Sequence, residues 1–131
     1  MNAYKLFMMD VGLLGALSEL PAEAILEGND IFIEFKGALT EQYVLQQMIS
    51  DTPYTPYYYG TDKGTFEQDF LIQKERNIVP IEVKAEGNLR SQSLKAYCEK
   101  FHPNMAVRLS ALKYKEQDWM INLPLYAVCN L

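Results

Sequence analysis

Residues 66–84 read FEQDFLIQKERNIVPIEVK, with β-like runs at 66–73 and 78–84 around the polar turn 74–77. If the turn is centred between Glu75 and Arg76, antiparallel partners have residue numbers that sum to 151. Asp69 then lies directly opposite Glu82. Apolar and polar residues alternate in both runs, so one face of the hairpin is expected in the core, while the other face, which carries both acids, is polar.

This pair of acids requires a positive partner. Directly opposed side chains have Cβ atoms about 4.5–5.5 Å apart, and like charges there are destabilising. A divalent cation would compensate, and Mg²⁺, which binds carboxylate and carbonyl oxygens and keeps several waters, fits better than zinc. Lys84 lies on the same face as Glu82, about 6.6 Å along the strand, where its ammonium is expected to reach a metal-bound water or a substrate phosphate.

Glu41 is expected to be a fourth member of this site. It lies on the apolar stripe of a predicted helix over 39–50, three and four residues before Val44 and Leu45. Thr40 is available as the cap of this helix. A carboxylate that faces the core needs a partner, and the acidic site would provide one through its cation.

The rest of the chain predicts one domain over 1–131, of α/β or α+β class, with a mixed sheet. Residues 57–60 and the hairpin form a meander, whereas 21–37 carry no clear pattern. Asp10 is available to cap the first helix, and Pro124 suggests an edge position for the last strand. The predicted elements are strands over 4–9, 57–60, 105–112 and 119–128 and helices over 11–20, 39–50 and 89–101.

Composition excludes several classes of protein. The 131 residues are 49% apolar, which is ample for a core and rules out intrinsic disorder, and the net charge of −5 argues against coating nucleic acid by bulk charge. There is no apolar run of about 18–20 residues and no export signal, so a cytoplasmic protein without membrane association is expected. Cys98 and Cys129 are expected to be buried, and His102 to lie at a helix end.

The order of the acidic residues resembles a known superfamily. A helix-borne Glu41, a strand-borne Asp69 and the run Glu82-Val83-Lys84 on the next strand are similar to the PD-(D/E)xK nucleases. Within that superfamily, residues 4–14, 36–41, 67–72 and 80–84 resemble the domain that follows the ATPase module in many prokaryotic AAA-type ATPases. The resemblance covers residues 4–128, with Gln68-Asp69 in place of Pro-Asp.

This resemblance implies a restriction-endonuclease-like fold, with a central mixed sheet of about four strands flanked by helices. It implies Asp69 and Glu82 as ligands of Mg²⁺ or Mn²⁺ and the backbone carbonyl of Val83 as a third. Lys84 would position or activate the attacking water, and Glu41 would hold a metal-bound water or a second ion. These four side chains are the expected catalytic residues.

The resemblance also implies DNA as the substrate and an ATPase module as a partner, normally in the same chain. The ATPase half is not in this sequence, so the chain resembles an excised or truncated C-terminal domain. The superfamily often adds a polar residue on the next helix, for which Gln92 and Ser93 are candidates. Lys95, with Arg90 and Lys100, could contact phosphates, although scattered lysines are more often the solvated face of a helix.

Simpler explanations exist for two of these residues. Lys84 faces Glu67 in the predicted register, and an exposed cross-strand ion pair worth under about 1 kcal/mol would account for it. Glu41 in a first helical turn would be favoured by the helix dipole. The rival hypothesis is therefore a catalytically inactive nuclease-fold module that serves as a regulatory or protein- or DNA-binding domain of the ATPase. A hydrolase with a substrate other than nucleic acid is a third, and the sequence leaves turnover and oligomeric state open.

Overall fold

The computed structural model describes residues 4–27, 30–60, 67–85 and 90–131. Its centre is a six-stranded mixed sheet in the order β1-β2-β3-β4-β6-β5, which confirms a mixed α+β architecture. The strands are β1 (Tyr57–Gly60), β2 (Glu67–Lys74), β3 (Asn77–Lys84), β4 (Val107–Ser110), β5 (Lys115–Glu116) and β6 (Ile121–Pro124). The helices are α1 (Val11–Leu17), α2 (Ala22–Glu27), α3 (Asp30–Asp51), α4 (Gln92–Phe101) and a 3-10 helix over Leu125–Asn130.

The hairpin of β2 and β3 has the predicted register. Phe70 pairs with Ile81 and Ile72 with Val79, so the partner numbers sum to 151. β1 pairs antiparallel with β2, which confirms the meander, while β3, β4 and β6 run parallel and β5 returns antiparallel. The expectation of about four strands is wrong for the described sheet, because β1 and the two-residue β5 add an edge at each side.

Helices cover both faces of the sheet. On one face, Val44 and Met48 of α3 are fully buried against the apolar residues of β2, β3 and β4. On the other face, Leu94 of α4 packs with Ala106 and Met120 in a smaller cluster. Because successive residues of a strand face opposite sides, the alternation of β2 and β3 assigns their apolar set to the α3 face. Within the described ranges, every helix is too short or too polar to span a bilayer.

The predicted N-terminal strand over 4–9 is wrong, because residues 4–10 lie outside any helix or strand. The side-chain amide of Gln42, on α3, forms the two backbone hydrogen bonds that a neighbouring strand would form. Its Oε1 accepts a hydrogen bond of 2.8 Å from the Met8 N–H, and its Nε2 donates one of 2.9 Å to the Met8 carbonyl. Gln46 likewise accepts from the Val11 N–H at 2.8 Å. We call residues 4–10 the N-terminal segment.

The first two predicted helices are partly right. Asp10 caps α1 as expected, since its Oδ1 accepts a 2.8 Å hydrogen bond from the Leu13 N–H, but α1 ends at Leu17 rather than at residue 20. The start of the helix over 39–50 is wrong, because α3 begins at Asp30. Thr40 lies inside α3, where its hydroxyl donates to the Lys36 carbonyl at 2.7 Å instead of capping. Glu41 is therefore not in a first turn, and the helix dipole does not account for it.

Several boundaries in the second half of the chain also change. The helix expected over 89–101 begins at Gln92, and residue 89 lies outside the described ranges. His102 caps the C-terminus of this helix, with a φ of 48°, and its backbone N–H donates to the Cys98 carbonyl. The edge position suggested by Pro124 is wrong, because β6 lies between β4 and β5. Pro124 is tolerated since β5 pairs only with Ile121 and Asn122. Cys129 is exposed rather than buried.

The anchoring of the N-terminal segment can be tested with Gln42→Leu. This change keeps the side-chain volume but leaves the Met8 N–H and carbonyl without their partners. Met8 is partly exposed, so water can replace these bonds, and we expect the free energy of unfolding to fall by only about 1 kcal/mol. We expect much faster proteolytic cleavage within residues 4–10, measured by limited proteolysis and mass spectrometry. Gln92→Leu, at an exposed position of α4, is the control, and equal cleavage rates for the two variants would contradict the anchoring.

Candidate functional site

Strands β2 and β3 separate next to Asp69. Their pairing ends at Phe70 and Ile81, although both strands continue; beyond that point β2 stays with β1 and β3 pairs with β4. The carboxylate of Asp69 fills the gap, and its Oδ2 accepts a 2.7 Å hydrogen bond from the Val83 N–H. Asp69 and Glu82 thus do not form the ladder pair expected from the register. A side chain has replaced the next backbone bond of the ladder.

Glu82 is a buried carboxylate with an unused oxygen. Only 3% of the residue is exposed. Its Oε1 lies 3.3 Å from the Lys84 Nζ, which confirms that the two side chains share a face. Its Oε2 is buried and has no hydrogen-bond partner among the described residues. Buried carboxylate oxygens normally have partners, so this one is a candidate ligand for a cation.

Arg108 lies beside Glu82 in the parallel pairing of β3 and β4, and it is almost fully buried. Its Nε donates to the Asn122 Oδ1 at 2.8 Å, and its Nη1 donates to the Ser91 Oγ at 3.3 Å. Burial lowers the pKa of Arg108, and the charge of Glu82 opposes that shift. This guanidinium therefore provides part of the positive charge that a buried Glu82 requires.

Lys5, from the N-terminal segment, joins three further carboxylates. Its Nζ lies 3.1 Å from the Glu41 Oε2, 3.1 Å from the Glu67 Oε1 and 3.8 Å from the Asp69 Oδ1. The ion pair predicted between Lys84 and Glu67 is wrong, since Lys84 pairs with Glu82 and Glu67 with Lys5. We call Lys5, Glu41, Glu67 and Asp69 the acidic cluster.

The pKa values of the three carboxylates in this cluster move in different directions. Burial raises the pKa of Glu41, and the neighbouring Asp69 raises it further. Burial also raises the pKa of Asp69, although the Val83 N–H, Lys5 and Lys84 oppose the shift. Burial would raise the pKa of Glu67 as well, but hydrogen bonds from Lys5 and Tyr58 lower it overall. Three carboxylates share one lysine, so the cluster would gain from further positive charge.

These residues offer carboxylate oxygens, the donor type that Mg²⁺ and Mn²⁺ prefer. Across the part of the chain that the structure describes, no three His, Cys, Asp or Glu side chains are grouped to hold a metal ion. Mg²⁺, however, usually takes one or two carboxylates from the protein and completes its shell with water and phosphate. Two candidate donors are the Oε2 of Glu82, which has no hydrogen-bond partner among the described residues, and the Oδ1 of Asp69, which lies 3.8 Å from the Lys5 Nζ.

The structure brings the predicted residues into two groups, Glu41 with Asp69 around Lys5 and Glu82 with Lys84, and no described contact joins the Asp69 and Glu82 carboxylates. The Asp69 carboxylate is bonded to the Val83 N–H, acts on Glu41 electrostatically and is acted on by Lys84, which pairs with Glu82. The role of the Val83 carbonyl as a ligand stays a prediction.

The residues predicted to bind substrate lie on α4. There, Gln92 is exposed, Ser93 is half-buried, and Lys95 pairs with Glu99 at 3.9 Å. No described contact links these three side chains to the acidic cluster. Their role in binding substrate stays a prediction.

Sequence reasoning missed Lys5, Glu67 and Arg108 as members of the site. Glu67 is two residues from Asp69 on the same strand, so the two side chains share a face, and this spacing was the available signal. Arg108 carried a weaker signal, as an arginine between Val107 and Leu109 of a predicted strand. Lys5 carried none, since nothing in the local pattern shows where an extended segment will lie.

Comparison with known proteins identifies one family. A family model described as "Domain of unknown function (DUF4143)" matches residues 36–127. Neither the curated proteins nor the solved structures include a match to this chain. The matched span contains Glu41, Asp69, Glu82 and Lys84, whereas Lys5 lies before it.

Proposed function

This chain belongs to the DUF4143 family, and we propose that it is a divalent-metal-dependent nuclease-like domain that hydrolyses phosphodiester bonds of DNA. The observation that carries the proposal is the buried Glu82 carboxylate, with one oxygen beside the Lys84 ammonium and the other without a partner. The order of Glu41, Asp69 and Glu82-Val83-Lys84 supports placing the domain in the PD-(D/E)xK superfamily. The mixed sheet with helices on both faces is consistent with a restriction-endonuclease-like fold.

In this proposal, the oxygens of Asp69 and Glu82 would hold Mg²⁺ or Mn²⁺. When bound, such an ion lowers the pKa of a water ligand and offsets the charge that builds on the phosphate during in-line displacement. The chain's own residues arrange the site around it. The Val83 N–H fixes the Asp69 carboxylate, and burial beside Arg108 fixes Glu82.

Lys84 places a partly exposed ammonium next to Glu82. Its side chain is 35% exposed, so the ammonium can contact a phosphate oxygen or orient a water without leaving its partner Glu82. Glu41 is only partly buried, and it would hold a metal-bound water or a second ion. An ATPase module as partner follows from the same family resemblance and is part of the proposal.

A second candidate function is favoured by one observation. Lys5 already gives the acidic cluster a cation, which is what a nuclease fold retained only for regulation or binding would need. A domain of that kind would keep its carboxylates for stability and would not require metal. The two candidates differ in turnover, and a metal-free form of the second also differs from the nuclease in binding no divalent ion.

Thermal unfolding with and without Mg²⁺ separates them. A ligand that binds only the folded state stabilises it, by about 2.7 kcal/mol when its concentration is 100 times Kd. We therefore expect millimolar Mg²⁺ or Mn²⁺ to raise the Tm by several degrees, with NaCl of equal ionic strength as the control. Glu82→Gln keeps the shape of the side chain and should abolish the shift. An unchanged Tm in the original protein, or an equal shift in Glu82→Gln, would contradict the metal site.

A further inference from the structure

Lys5 makes a set of contacts that a surface lysine does not make. Its side chain is 24% exposed, and its ammonium touches carboxylates from two different elements, Glu41 of α3 and Glu67 of β2. It also lies 5.1 Å from the centre of the Tyr58 ring. These contacts hold the ammonium at the acidic cluster, 3.8 Å from the oxygen of Asp69 that the metal proposal requires.

The N-terminal segment holds Lys5 there without regular structure of its own. Gln42 of α3 binds the segment's backbone at Met8, and the Phe7 ring packs against Phe70 with centroids 5.8 Å apart. The segment belongs to neither the sheet nor α3, so a movement of the Lys5 side chain breaks no backbone hydrogen bond of either. A cation from solution can therefore take the place of the Lys5 ammonium at the carboxylates.

Electrostatics makes the lysine and a metal ion competitors. A divalent cation on Asp69 would lie close to the Lys5 ammonium, and like charges at such distances in a half-buried site repel strongly. The same carboxylates attract both cations, so binding of one weakens binding of the other. The cluster therefore has two alternative counter-ions, one built into the chain and one from solution.

We propose that the Lys5 ammonium is the resident counter-ion of the acidic cluster and that a divalent cation binds by displacing it. The inference rests on the proposed function, because it concerns the same Asp69 and Glu82 site. It assigns the N-terminal segment a role as a plug, which keeps the site compensated until metal and substrate arrive. Access to the site is then governed by a lysine that lies outside the span matched by the family model.

The first test compares Mn²⁺ binding to the full chain and to Lys5→Met by isothermal titration calorimetry. Removing the competing ammonium should tighten Mn²⁺ binding about tenfold or more, because a half-buried repulsion is only partly screened by solvent. Lys113→Met is the matched control, since it removes the same charge from an exposed lysine and should leave the affinity unchanged. Equal affinities for Lys5→Met and the original protein would overturn the displacement.

The second test uses the original protein, so it does not depend on how Lys5→Met folds. Acetylation of individual lysines by an amine-reactive ester is measured by mass spectrometry with and without Mn²⁺. We expect Lys5 to become several-fold more reactive when Mn²⁺ is bound, while Lys113 does not change. Bound Mn²⁺ with no change at Lys5 would overturn the displacement alone, whereas no Mn²⁺ binding by either the original protein or Lys5→Met would overturn the proposed function.

Discussion

Replacing Lys84 by methionine is expected to lower Mg²⁺-dependent DNA cleavage by about 10²–10³-fold, the usual loss when one preorganised electrostatic partner of the transition state is removed. Methionine keeps most of the apolar stem but has no charge. Lys84 is partly exposed, so the loss of its 3.3 Å contact with Glu82 should change stability little. The effect should therefore appear in turnover and not in the fraction of folded protein.

The measurement is nicking of supercoiled plasmid and cleavage of single-stranded DNA, with Mg²⁺ or Mn²⁺, by purified protein. Lys113→Met serves as the control for loss of an exposed lysine, and Glu82→Gln as a second variant that removes a ligand. Cleavage that persists in both Lys84→Met and Glu82→Gln would come from a contaminating nuclease. Full activity in Lys84→Met alone would contradict its role in the reaction.

Replacing Arg108 by methionine should destabilise the fold by about 3–5 kcal/mol, because it leaves two buried hydrogen-bond acceptors without their donor and removes a positive charge near the buried Glu82. Arg108 is 2% exposed, and Glu82 beside it is 3% exposed. Without Arg108, the Glu82 carboxylate would stay buried with Lys84 as its ion-pair partner. Asn122 and Ser91 would also lose a donor. A loss of this size is a large part of the total stability of a domain.

A double-mutant cycle isolates the part that belongs to Glu82. Urea unfolding of Arg108→Met, Glu82→Gln and the double variant should show that Glu82→Gln recovers a substantial part of the loss, because the neutral amide needs no counter-ion. Arg76→Met, at the exposed turn between β2 and β3, is the control for loss of an arginine and should change stability by under about 0.5 kcal/mol. Purely additive effects would show that Arg108 does not compensate Glu82.

The hairpin was predictable because its information is local. Alternation of apolar residues and a polar turn at Glu75 and Arg76 were enough to give the register, and the apolar set Phe70, Ile81 and Val83 was assigned to the core correctly. The cap at Asp10 was predictable for the same reason, since a cap depends on residues three positions away. Features of this kind can be predicted from a few neighbouring residues, without knowledge of the rest of the chain.

The chemistry of the site depended on contacts that no local pattern contains. The separation of β2 from β3 follows from competition between the Asp69 carboxylate and a backbone carbonyl for the Val83 N–H, and the register alone favours the backbone. The cation near Asp69 is a lysine 64 positions earlier in the chain, held there by Gln42. Sequence reasoning correctly required a positive charge among these acids, but it could not identify Lys5 as one source.

The most direct test of the metal site is a crystal grown with Mn²⁺ and measured for anomalous scattering of manganese. We predict a peak that is bonded to one carboxylate oxygen of Asp69 and one of Glu82, at about 2.0–2.2 Å from each as is usual for small hard divalent ions. The Lys5 ammonium should have moved away from Asp69. A structure at millimolar Mn²⁺ with no peak between Asp69 and Glu82, and with Lys5 still against Glu41 and Glu67, would contradict the proposed function.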